Sequence, residues 1–195
     1  SAEEEARDAY LRALSVAESG SEARREALIG LADLDLVQDD GARAELWLER
    51  LAGATDPAVM IRRAEAKWQV GDVPAARALI RTFESDPTDG RAQLLRGRVL
   101  AHTGEEDAFT HLTRAYLLEE PGAREALAGA LSKLSASTEL RERVRGIVRE
   151  RGEESLSGWV AAFARAEGRF EDARNALRAA AKAGEPNAAA ALFEQ

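Results

Sequence analysis

The chain has no cysteine among its 195 residues. This excludes disulfide frameworks, thiolate metal sites and cysteine nucleophiles. It leaves the compartment open, with the cytoplasm favoured and the periplasm also compatible. Histidine is nearly as scarce. His102 and His111 are nine positions apart, not at the spacing of a helical zinc site. Aromatic residues make up only 5%. There are five prolines, four of them between helical runs. No apolar run reaches the roughly 18 residues of a transmembrane helix, and no signal peptide is recognisable. The chain opens on Ser1 rather than Met, so it is expected to be a fragment of a larger protein.

Catalytic signatures are missing as well. No phosphate loop, dinucleotide fingerprint or Gly-x-Ser-x-Gly elbow occurs. Asp33, Asp35, Asp39, Asp40 and Gly41 have the look of a calcium loop. Counted from Asp35, however, the twelfth position is Leu46 and not the Glu that such a loop requires. Helix capping by Asp39 or Asp40 is the expectation instead. Neither an enzyme nor a metal or cofactor site is expected.

Charge is unevenly placed. The chain carries 27 basic and 35 acidic residues, a net of −8. Residues 1–57 hold 6 Arg and 14 Asp or Glu, and residues 58–195 hold 21 of each sign, so the excess acidity belongs to the N-terminal end. An acidic chain repels phosphate, which disfavours a nucleic-acid partner. Arg outnumbers Lys by 24 to 3, which hints at a GC-rich bacterial source.

What is present is a helix-forming composition rich in Ala, Glu, Arg and Leu, with a period in it. Ala32, Ala64, Gly97, Ala128 and Ala161 recur at steps of 32, 33, 31 and 33. Twelve residues after each stands Ala44, Ala76, Phe109, Leu140 or Ala173. A period in the low thirties marks stacked helical hairpins. The first position is small because two helices approach closely there. Apolar spacing and breakers place helices at about 2–18, 20–38, 42–53, 57–70, 73–84, 90–103, 106–119, 122–134, 138–150, 154–167 and 170–183, with a short last one from Pro186. Ser19 with Glu22 reads as a capping box for the second helix. No strand-like alternation, linker or domain boundary is evident, so residues 1–195 read as a single repeat domain.

The pattern resembles the tetratricopeptide repeat (TPR). The best copy is Ala161…Ala164…Gly168-Arg169-Phe170-Glu171-Asp172-Ala173…Leu177…Ala180…Pro186. Gly71-Asp72-Val73-Pro74-Ala75-Ala76…Ile80…Phe83…Pro87 and Gly97…Leu100…Gly104…Phe109…Tyr116…Pro121 follow it. Five copies fall at about 25–56, 57–89, 90–120, 121–153 and 154–186, with half repeats at 2–18 and 187–195. The first copy has Asp39 where the others have a turn glycine, and the fourth, with Ser135 there, is the most degenerate. The resemblance implies an all-α solenoid of stacked antiparallel helix pairs, wound as a right-handed superhelix. Leu48, Ile80, Val144 and Leu177 are expected to fill its seams, each contributing roughly 1.5–3 kcal/mol on burial. Asp35 and Lys67 stand where the family has an aromatic, and Arg63 and Arg96 where it has Leu. Asp35 and Lys67 either pair across adjacent repeats or both reach solvent.

The family resemblance further implies that the first helix of each repeat lines a concave groove. By phase, its lining includes Ile61, Glu65 and Trp68, then Arg91, Leu94, Arg98 and His102, then Lys133 and Arg165. Ala58 is expected to be exposed, and Trp47 and Trp159 to lie outside the row. The family's Lys and Asn carboxylate clamp is not reproduced, because the only asparagines are Asn175 and Asn187. The expected function is a protein-interaction scaffold binding a protein or peptide, with acidic residues meeting the Arg and His positions, and with neither nucleic acid nor membrane insertion involved. The alternative is a regulatory ligand- or peptide-sensing domain of a multidomain enzyme or transcription regulator.

Overall fold

The computed structural model describes residues 2–51, 55–83, 86–133, 144, 146–147, 161 and 170–182. Among these residues it is all helical, with nine α-helices and no strand. They are α1 (Ala2–Val16), α2 (Glu22–Val37), α3 (Gly41–Leu48), α4 (Pro57–Gln69), α5 (Val73–Ile80), α6 (Gly90–His102), α7 (Ala108–Leu117), α8 (Ala123–Lys133) and α9 (Phe170–Lys182). Of the expected helices at 138–150 and 154–167, only Val144, Gly146, Ile147 and Ala161 are described, all of them helical. Leu140, Trp159, Arg165 and the short helix from Pro186 lie outside the described residues. The chain divides into two compact units, Ser1–Asp86 and Pro87–Gln195.

Local chemistry sets the helix starts. Asp40, Asp56, Asp72 and Asp89 each accept a backbone N–H from the first turn of α3, α4, α5 and α6, at 2.8–3.1 Å. Each cap stabilises its helix by about 1 kcal/mol. At α2 the cap is Ser21, not Ser19, and its hydroxyl accepts from the Arg24 N–H at 3.3 Å. Ser19 is displaced from that role because Gly20 turns through a left-handed φ of 80°, so the helix begins beyond it.

The ends of α2, α4 and α6 repeat one device. The N–H groups of Asp40, Asp72 and Glu105 donate to the carbonyls of Asp35, Lys67 and Leu100, each at 2.9 Å. This is the six-to-one bond of a Schellman ending, which needs a left-handed residue at the turn. Gly71 and Gly104 supply it with φ of 80° and 79°, and Asp39 supplies it with φ of 60°. The replacement of the turn glycine by Asp39 thus left the turn itself unchanged.

Several helices are shorter than expected, and α3 and α5 lose the most at their C-terminal ends. α3 stops at Leu48 and continues as a 3₁₀ turn over Glu49–Leu51. α5 stops at Ile80, where the Thr82 hydroxyl donates to the Leu79 carbonyl at 2.7 Å and satisfies one of the terminal acceptors.

Packing follows the period. In the first unit each helix from α1 to α5 packs on the next, and α2 also touches α4. In the second, α6 packs on α7, α7 on α8, and α6 also touches α8. All five recurring small positions are buried, as are Ala44, Ala76, Phe109 and Ala173 after them. The reason is plainest at Gly97: a Cβ there would stand 2.5 Å from the Leu112 side chain of α7. Leu48, Ile80, Val144 and Leu177 are buried as expected.

The seam charges resolve differently from either expectation. Asp35 and Lys67 do not pair, and Asp35 does not reach solvent: its exposure is 0%. Its carboxylate accepts from Arg7 Nη2 of α1 at 2.6 Å and from Trp47 Nε1 of α3 at 2.7 Å. Lys67 instead lies 3.4 Å from Glu45 of α3, which Arg63 also approaches, at 3.3 Å. Lateral packing on the neighbouring second helix decided both partners.

Candidate interaction surface

The outward row of the first unit runs along α2 and α4. Asp33 and Arg62 tie the two helices together: Arg62 Nε and Nη2 both donate to the Asp33 carboxylate, at 2.8–3.1 Å. Such a forked pair fixes orientation as well as charge. Arg25 of α2 makes a single-point ion pair, through Nη2, with Asp56, the cap of α4. Beside these links, Glu65 and Trp68 of α4 are half-buried, while Ile61 is 6% exposed and belongs to the packing. Ala58, expected to be exposed, is half-buried, because its carbonyl lies under Arg62, whose Nη1 donates to it at 2.8 Å.

In the second unit α6 carries three arginines and one histidine and no acidic residue. Arg91, Arg98 and His102 follow each other at i, i+7 and i+11, on one face. Arg91 and Arg98 are half-buried and His102 is exposed. Leu94, between them, is 6% exposed and packs into the core with Phe109 and Leu127. The Arg98 guanidinium lies against Gly122, where a Cβ would stand 2.7 Å from Nη2, so this glycine leaves the room that Arg98 occupies. Lys133 is the last residue of α8. Arg165 lies outside the described residues.

Two polar groups of the second unit face the core and not this row. Gln93 is fully buried, and its Oε1 is 2.8 Å from His111 Nδ1 across the α6–α7 contact. Burial holds the His111 pKa down to about 4, and the charges of Arg96 and Arg114 push the same way against Asp107. Arg96, on the inner side of α6, has its pKa lowered by burial.

Sequence reasoning missed the anchoring of Asp35 by Arg7 and Trp47. An acid at an aromatic position was visible, but its partners come from two other helices. Trp47 is off the row, as expected, yet it is no bystander. Among the described residues no group of three His, Cys, Asp or Glu side chains is placed to hold a metal ion, and no helix is long and apolar enough to cross a membrane. Compared with family models, with curated proteins and with solved structures, the chain matches none.

Proposed function

We propose that this chain is an interaction scaffold of tetratricopeptide type, a stack of helical hairpins that binds a protein or peptide segment along its first helices. The observation that carries the reading is the burial of every recurring small position, each one period from the next. A hairpin with a small residue at its crossing cannot bury its apolar face alone, and its neighbours supply the missing surface. The contacts of α2 with α4 and of α6 with α8 support this, since they join first helices of successive hairpins.

The residue types on the rows support binding. Trp68 offers a flat, partly exposed ring, and α6 offers Arg91, Arg98 and His102. Trp and Arg are the residues that most often dominate interface energy. A partner with carboxylates suits the α6 face, where a charge-assisted hydrogen bond is worth roughly 1.5–3 kcal/mol. The test is capture of partners on the full chain, followed by calorimetry with Trp68→Ala and Arg98→Glu against the surface control Leu117→Ala. Affinity is expected to fall about tenfold or more for either row variant and to hold for the control. Equal affinity in all three, with helicity intact, would place the partner elsewhere.

A further inference from the structure

The face of α3 turned from the core is a stripe of opposite character to its surroundings. Ala44, Glu45 and Leu48 point inward, and Arg43 and Leu46, with Glu49 and Arg50 of the 3₁₀ turn that follows, share the other side. Leu46 is 61% exposed. The Arg50 guanidinium lies over the Trp47 indole, 5.0 Å from the ring centroid. That is within cation–π range, so the cation is held in position, and it has no carboxylate partner among the described residues. Arg43 forms an ion pair with Asp35, its Nε 3.6 Å from the carboxylate, and half of its side chain is exposed. The stripe holds two cations about a leucine, with Glu49 at its edge, within a stretch whose net charge is negative.

α1 carries the complement. Arg7 and Tyr10 turn toward α2: Arg7 reaches Asp35, and the Tyr10 ring lies flat on Gly30. The opposite side exposes Glu5 and Asp8, which outnumber Arg12 there, and Leu11 is exposed on the flank beside Arg7. No residue of α1 is fully buried.

We infer that α1 of one copy docks on the α3 stripe of a second copy, with Leu11 against Leu46 and Glu5 and Asp8 toward Arg43 and Arg50. α1 and α3 flank Asp35 together, since Arg7 and Trp47 both donate to it. A two-fold axis lying between them sets each α1 against the other copy's α3, so the contact is made twice and the pair closes. This surface is separate from the first-helix rows and does not depend on them. One leucine and two rim charges per contact make a small interface, and small interfaces give weak, concentration-dependent association.

The experiment is sedimentation equilibrium on the full chain from about 5 to about 500 µM, the range in which a weak dimer is populated. Monomer at the low end and dimer at the high end are expected, with Leu46→Asp monomeric throughout. Two charge-reversed chains sharpen the test, Arg43→Glu with Arg50→Glu, and Glu5→Arg with Asp8→Arg. Each alone repels itself and stays monomeric, and an equimolar mixture associates, because both contacts are then complementary. Circular dichroism checks folding, and Arg50→Glu alone replaces the first pair if helicity drops. Wild type that stays monomeric at the highest concentration overturns the inference. So does a dimer indifferent to Leu46→Asp, or a mixture that fails to associate while wild type does.

Discussion

Asp35 is a fully buried carboxyl side chain, held by donors from α1 and α3. Removing one partner of a buried pair leaves the other uncompensated, at a cost of about 3–5 kcal/mol. Asp35→Ala is therefore expected to lower the stability of the first unit by that order in urea unfolding. Arg7→Ala in the same background is expected to add little, because the partner is already gone, and full additivity would show that the two side chains do not interact. His111 makes the matching point for the second unit. Its folded pKa of about 4 lies below the ordinary 6.5, so the fold favours the neutral ring. Between those values the unfolded chain binds the extra proton. Stability from this residue is complete above about pH 6.5, falls as pH drops toward 4, and levels off below, where both states are protonated. An NMR titration with a midpoint near 6.5 would contradict the burial seen here.

At the scale of the helix, the determinants are a capping aspartate, a left-handed turn residue and a small residue at the crossing. The last gives the sharpest contrast. Ala64 is fully buried where α4 meets its neighbours, whereas Ala42 is exposed on α3. Ala64→Leu is expected to destabilise by roughly 1–3 kcal/mol through overpacking. Ala42→Leu is expected to stay within about 0.5 kcal/mol. Equal denaturation midpoints for the two variants would show that the crossing is not where the period puts it. Asp39 illustrates the same economy at the turn, since the backbone requires a left-handed residue and tolerates either Gly or Asp.

For the whole molecule, two units carry cores of the same design. One is built on Ala32, Leu36, Ala44 and Leu48, the other on Phe109, Leu112, Leu127 and Leu131. Local contacts between successive helices dominate both. Far-ultraviolet circular dichroism is expected to give a strongly helical spectrum, and a strand contribution equal to even three strands would be incompatible with the architecture. The acidic excess of residues 1–57 lies on the first unit.

The described helices and the buried small positions were legible in the sequence, because each rests on an interaction within about four residues or on the period itself. Ala64 and Gly97 are small for the same reason, and the period states it twice. Asp39 and Asp40 were both readable as caps, and the structure gives the role to Asp40. The row residues could be phased but not graded: that Ile61 and Leu94 sink into the core while Trp68 and Arg98 stay at its margin depends on how closely neighbouring helices approach. Asp35 and Lys67 were readable as misfits, but not as partners of Arg7 and Glu45. Those choices were made only by tertiary structure, because a buried charge takes the nearest donor that packing brings to it, and packing joins residues that lie far apart along the chain.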